Sequence, residues 1–170
     1  MGPTPDAIRQ DNWFVLVDPG YPADAPPREA MIGGWVIEEE GKVGPFRPNP
    51  YYRPSSPDIP TDPIDTLIRL MVSGEQVAEE LVATVRDSVV EIGTDEQERP
   101  VIGKSPDGAL CVVVVTAEVQ KAGLDVENWC PILGSELAEV LPEGLDIMLN
   151  PAGAAPFRLL RAGLVDANGR

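Results

Sequence analysis

Leu110-Cys111-Val112-Val113-Val114-Val115-Thr116 is the stretch on which the fold turns. It is apolar at odd and even positions alike, so a strand built from it offers no face to water. Such a strand belongs in the middle of a sheet that is covered on both sides. Pro106-Asp107-Gly108 opens it with a turn. Before that turn, Val89 to Ile92 and Val101 to Ile102 flank the polar turn Asp95 to Arg99 and supply neighbouring strands.

The cover comes from two helices upstream. Asp62-Pro63 predicts a helix start, a capping carboxylate followed by proline at the first helical position, where its missing N–H costs nothing. Ile64, Leu67, Ile68 and Met71 then recur at helical spacing until Gly74. Ser73 and Gln76 predict a capping box for a second helix. That helix sets Val77, Leu81, Val82 and Val85 opposite Glu75, Glu79, Glu80 and Arg86. Downstream, a short helix over Ser135 to Leu141, a strand over Leu145 to Leu149, a turn at Asn150 to Gly153 and a helical or extended piece over Pro156 to Leu164 complete the order. Helices and strands mixed in this way predict an α+β fold, one domain with a small mixed or antiparallel sheet covered by helices.

Ahead of this core the chain changes character. Of 19 prolines in 170 residues, most lie before residue 64. Trp13 to Asp18 reads as a strand ending in the turn Asp18-Pro19-Gly20. Met31 to Glu38 reads as a second strand, in which Gly33-Gly34 marks a bulge or a close backbone approach. From Phe46 to Pro60 the prolines exclude helix and any central strand, and predict an extended segment laid over the surface. The expected organisation is a disordered tail over 1–12, N-terminal strands and a proline-rich extension over 13–60, the α+β core over 61–164 and a disordered tail over 165–170.

Composition removes whole classes of chemistry. The chain has no histidine, so within it a Ser-His-Asp triad, a Cys-His pair and most catalytic zinc sites cannot be assembled. Gly103-Lys104-Ser105 ends like a phosphate-binding loop, but the glycine required five positions earlier is Glu98, and Pro106 stands where a helix should begin. Asp95, Glu96 and Glu98 lie on a turn too short to wrap a cation. The expectation is a protein that is not an enzyme and has no catalytic residues, metal or cofactor. Cys111 and Cys130 make no disulfide framework and are expected to be buried, reduced thiols. With 28 acidic against 13 basic residues the net charge is −15. That repels nucleic acid and anionic membrane surfaces, and it reads either as plain solubility or, more sharply, as a surface for a basic protein partner. No apolar run is long enough to span a membrane, and the start lacks a leader pattern, so a cytoplasmic location without membrane insertion is expected.

The segment hardest to dismiss is Phe46 to Arg53, where Arg47 and Arg53 flank Asn49, Tyr51 and Tyr52 in a markedly acidic chain. Tyrosine and arginine favour interface hot spots, and proline lowers the entropy lost on binding. These five residues are the candidate partner-binding set. The same segment reads equally as a strap whose aromatics pack on the protein's own core.

Two signatures carry a resemblance. The front, from Gly33-Gly34-Trp35 through Gly44-Pro45-Phe46-Arg47-Pro48-Asn49-Pro50-Tyr51-Tyr52-Arg53-Pro54 to Thr61-Asp62-Pro63, resembles actinobacterial proteins called type VII secretion system-associated. The later part resembles the N-terminal domain of the SseB family, named for enhanced serine sensitivity. The residues concerned are Asp107-Gly108 before an apolar strand ending in Thr116, then Gly134-Ser135-Glu136-Leu137, Leu149-Asn150-Pro151 and Gly153. Neither family brings agreed catalytic residues. The resemblance implies an SseB-like core and an accessory or adaptor role beside an export apparatus, exercised by binding a secretion component or substrate. The alternative is an immunity protein that neutralises a cognate basic toxin. A homodimer formed through an apolar edge strand is open as well.

Overall fold

The computed structural model describes residues 2–168, with side chains through Val165. It is an α+β fold with two sheets. The larger has the order β10-β9-β7-β5-β8, with β6 also paired to β7. Its strands are β5 (Val89–Thr94), β6 (Ile102–Lys104), β7 (Leu110–Val115), β8 (Asn128–Leu133), β9 (Asp146–Leu149) and β10 (Phe157–Leu159). The all-apolar stretch is indeed the central strand: β7 runs antiparallel to β5 and β6 and parallel to β9. The sheet is therefore mixed, and every residue of β7 except Leu110 is buried.

One face of this sheet packs on helices. α1 (Pro63–Val72) and α2 (Ala78–Arg86) place Ile64, Ile68, Leu81 and Val85 against Val90, Ile92, Val112, Val114, Ile147 and Leu149. Leu137 from the short α3 (Leu137–Val140) and Leu164 from α4 (Arg161–Asn168) complete the same cluster. The Asp62 carboxylate caps α1 by accepting from the backbone N–H groups of Ile64 and Asp65, at 2.9 and 3.0 Å, with Pro63 at the first position. Gly74, at φ +100°, takes the left-handed turn that ends the helix. The predicted capping box does not form. Ser73 instead closes α1, its hydroxyl donating to the Leu70 carbonyl at 2.7 Å, and α2 starts from Val77 without a side-chain cap.

The smaller sheet is an antiparallel meander in the order β1-β2-β3-β4, made of β1 (Ile8–Gln10), β2 (Trp13–Val17), β3 (Met31–Ile37) and β4 (Val43–Pro48). A β-bridge joins it to the larger one: Phe46 pairs with Ser88 in parallel, and its N–H donates to the Asp87 carbonyl at 2.8 Å. Three strands lie outside the sequence expectations. β1 falls in the supposed disordered tail over 1–12, where pairing with β2 orders it. β4 and β8 carry Pro45, Pro48 and Pro131, and both are edge strands, where proline is tolerated because one side of the backbone needs no partner. At the other end, α4 continues to Asn168 through most of the supposed tail, and residues 169–170 lie outside the described residues. Both cysteines are free, but only Cys111 is buried; Cys130 sits exposed on the edge strand β8.

Candidate functional site

The segment after β4 is held by two side chains. Asn49 donates through Nδ2 to the carbonyls of Arg28 and Met31, at 2.7 and 2.8 Å, and accepts from the Tyr51 N–H at 3.1 Å. Asp18, wholly buried, accepts from the Gly20 N–H at 2.8 Å, the Tyr52 hydroxyl at 3.0 Å and both the N–H and hydroxyl of Ser55 at 2.8 Å. Burial would raise the Asp18 pKa, but the bonds from Ser55, Gly20 and Tyr52 outweigh it and hold the carboxyl below its ordinary value. Burial, and then the neighbouring carboxylate, push the Tyr52 phenol well upward. The turn Asp18-Pro19-Gly20 is therefore an anchor for residues 34 to 37 positions further on.

The glycine pair in β3 serves both faces of the small sheet, because adjacent strand residues point to opposite sides. At Gly33 an added Cβ would lie 2.5 Å from the Phe46 ring and from the Arg47 carbonyl. The missing side chain lets Phe46 fold inward, edge to face with Trp35 at 4.9 Å between ring centroids. At Gly34 a Cβ would lie 2.5 Å from the Phe14 carbonyl and 3.3 Å from the Trp13 ring. The inner face carries Phe14, Leu16, Ile32, Trp35, Phe46 and Tyr52, which pack together. The outer face sets Ile8, Val15, Gly34 and Arg47 in one row across the four strands.

No element of the chain, among the described residues, is layered over that outer row, and a groove of ≈ 510 Å³ runs along it. Trp13, Val15, Gly34, Met31, Pro48 and Pro50 give it an apolar floor and wall, with Arg28 and Arg47 at the rim. A second hollow of ≈ 330 Å³ adjoins it, sharing Gln10, Val15 and Met31 and reaching Ile8, Arg9 and Pro26. The two hollows are lined by three arginines, Arg9, Arg28 and Arg47, against one carboxylate, Asp11. Arg28 lies 4.1 Å over the Tyr51 ring and pairs with Glu29 at 3.3 Å. Arg9 and Arg47 have no ion pair among the described residues. In a chain of net charge −15 this is a locally cationic, apolar surface.

The five sequence candidates thus divide. Asn49 and Tyr52 are turned into the fold as fasteners. Arg47 and Tyr51 are exposed, one lining the groove and the other beside it through Arg28. Arg53 is exposed, but its backbone is tied, the N–H to the Glu29 carbonyl and its own carbonyl to the Tyr21 hydroxyl. Sequence reasoning missed Trp13, Val15, Arg28 and Met31. The available signal was Trp13 to Val17, which is apolar on both strand faces.

A second polar cluster sits at the start of α1, beside the end of β7. Asp62 Oδ2 accepts from the hydroxyls of Thr61 and Thr116, at 2.7 and 2.6 Å. Asn150 receives the Thr116 N–H at 2.9 Å and donates to its hydroxyl at 2.8 Å, while Gln120 donates to the Thr61 hydroxyl at 2.9 Å. Gly153 is required here, since a Cβ would meet the Gln120 amide oxygen. Asp65 accepts from the Thr61 N–H and from Arg69, and its Oδ1 is buried without a partner. Burial and the nearby Asp65 push the Asp62 carboxyl up to about 6, against the opposing bonds from Thr116 and Thr61. A shifted carboxyl of this kind suits proton transfer, but both aspartates are enclosed, at 2% and 0% exposure. The cluster braces α1 against the end of β7. Gly103-Lys104-Ser105, the stretch that looks like a phosphate loop, is the β6–β7 hairpin, with Ser105 bonded to Asp107 across its turn.

Among the described residues no helix is long and apolar enough to cross a membrane, and no group of three or more histidine, cysteine, aspartate or glutamate side chains could hold a metal ion. Comparison with protein-family models, curated proteins and solved structures returns no match.

Proposed function

We propose that this protein is a non-catalytic accessory that works by binding another protein through the outer face of its N-terminal sheet. The observation that carries the reading is the groove along the row Ile8, Val15, Gly34 and Arg47, an apolar strip whose two ends are exposed and whose guanidinium has no ion pair among the described residues. Exposed, contiguous apolar surface of this kind is rare on a monomer that binds nothing. Tyr51 and Arg28, stacked beside the strip, supply the residue types that dominate interface energetics. The resemblance of the front segment to type VII secretion system-associated proteins suggests the setting, a cytoplasmic helper beside the export apparatus.

Capture from the native host is the test. The wild type should retain a partner that Val15→Arg releases, while the far-UV spectrum and melting temperature of the variant stay close to wild type. Unchanged capture by a folded Val15→Arg protein removes the face from consideration. The immunity-protein reading draws on a different observation, the overall acidity, which suits a basic toxin. Under it, capture should persist in Val15→Arg and fail when Glu75, Glu79 and Glu80 of the α2 region are replaced by lysine.

A further inference from the structure

We infer that the groove takes an extended segment of the partner in which one or two carboxylates stand among apolar residues. This inference rests on the docking-face reading and deepens it by naming the occupant. Three features of the groove select such a segment.

The first is its floor. Gly34 has no side chain between Val15 and Arg47 and is itself buried, with the Trp13 ring close beside it, so the middle of the row is a flat apolar floor shared with Val15 and Pro48. The groove above this floor has space for one apolar side chain, and the adjoining hollow over Val15 and Met31 has space for a second. Side chains that point the same way in an extended chain alternate with residues that point away. A segment lying along the row therefore presents apolar residues at every second position.

The second is the rim. Arg47 is exposed, with no ion pair among the described residues, and Arg28 is held in place by Tyr51 at 4.1 Å. A guanidinium offers planar paired donors that match a carboxylate. The positions of the segment that lie over the Arg47 end of the row and beside Arg28 meet these arginines.

The third is the rest of the molecule. A net charge of −15 repels any polyanion as a whole. Only a segment with few carboxylates, set where the arginines stand, gains more locally than it loses to that field. The walls are already fixed: Pro48 and Pro50 have restricted backbones, and Asn49 between them is bonded to two carbonyls and one N–H. Little ordering entropy is lost on binding, so a short segment suffices.

Fluorescence anisotropy with labelled short peptides tests this. The probes are a peptide of leucine with two glutamates, its counterpart with lysines in their place, and polyglutamate. The leucine–glutamate peptide should bind the wild type, and Arg47→Glu should weaken it by about tenfold or more. The lysine counterpart should bind Arg47→Glu better than wild type, and polyglutamate should bind neither. Equal binding of the two leucine peptides, or binding of the glutamate peptide that ignores Arg47→Glu, overturns the inference. Arg47 is exposed, so the charge swap does not endanger folding.

The two readings fail separately. If Val15→Arg abolishes partner capture while Arg47→Glu leaves it intact, the face is a docking surface and the acidic segment is wrong. If Val15→Arg leaves capture intact, the docking face itself is wrong, whatever the peptides do. Should Val15→Arg not fold, Ile8→Arg takes its place, on a residue 60% exposed in the same row. Sedimentation of the wild type alone closes the remaining route: a dimer dissolved by either variant would give the face to a second copy and overturn the inference.

Discussion

The two sheets of this protein are stabilised in different ways. The larger sheet lies on a continuous apolar cluster contributed by every long element of the second half, with Ile68, Val112, Val114, Ile147 and Leu149 wholly excluded from water. The smaller sheet has only Leu16, Ile32, Trp35, Phe46 and Tyr52 in its buried cluster. It adds what packing lacks through directed bonds, four to the Asp18 carboxylate and three at the Asn49 amide. Hydrogen bonds place a strap without covering it. That is how the N-terminal sheet keeps one apolar face free while the other sheet has spent its apolar residues on the core.

The contrast predicts unequal responses to the same truncation. Ile147→Ala, at a fully buried site in β9, should cost about 2–5 kcal/mol, the usual range for emptying a packed core position. Leu16→Ala, in the smaller cluster and 8% exposed, should cost about the lower end of that range or less, because the thin sheet can relax around the gap. Urea unfolding of the two variants measures both. Equal losses would mean that the front is packed as firmly as the back.

Acidity separates the halves with opposite signs. Asp62 is held at about 6 in the folded chain, above its ordinary 3.8. Between these two values the folded protein binds the extra proton, so its stability falls as pH rises through the window and levels off above it. The difference corresponds to about 3 kcal/mol. Asp18 is shifted the other way, so its contribution is complete above the ordinary carboxylate pKa and is lost on acidification below it. Asp62→Asn should therefore flatten the decline between roughly pH 4 and pH 6, and Asp18→Asn should remove part of the loss at lower pH. Denaturation midpoints measured across this range decide both. A decline that survives Asp62→Asn would assign it to another group.

A smaller and more local effect is expected from Asp18→Ala. The backbone N–H groups of Gly20 and Ser55 and the hydroxyls of Ser55 and Tyr52 would lose their acceptor, at about 1–3 kcal/mol for the buried groups left unpaired. Hydrogen exchange should quicken at residues 52–55 with β7 and β9 unchanged, since opening a strap need not disturb a remote core. Quickening in β7 would show that the two halves open together.

The fold was legible where a single pattern decided the matter. The all-apolar run of β7, the Asp62-Pro63 cap and the helical spacing of Ile64, Leu67, Ile68 and Met71 each leave one physical solution. Edge strands were not legible: β4 and β8 hold prolines that argue against a strand until the edge position is known, and the three residues of β1 have no pattern at all. The candidate site was half legible. Arg47 to Arg53 stood out by composition, but whether a tyrosine points in or out depends on a partner far along the chain. Tyr52 is buried because Asp18 lies beneath it, and Tyr51 is exposed because its neighbour took that place. Ser73 and Gln76 formed a plausible box that lost to a tighter end for α1, as local signals do when two compete for one residue.

That inward and outward alternation yields the smallest effect and the finest test of the comparison. Tyr52→Phe removes one bond to a buried carboxylate and should cost about 1 kcal/mol or somewhat more. Tyr51→Ala removes an exposed ring stacked under Arg28, a contact worth about 0.5–1 kcal/mol at the surface. Arg47→Ala, with neither ion pair nor cover among the described residues, should shift stability by no more than about 0.5 kcal/mol. Melting curves of the three rank them in that order if the strap is fastened from below and left bare above. A large loss from Arg47→Ala would instead mean that this guanidinium holds the sheet together, and a residue needed for folding is a poor candidate for a surface kept free for a partner. The ranking of these three neighbours thus bears directly on whether residues 46–53 present a binding surface or only close the fold.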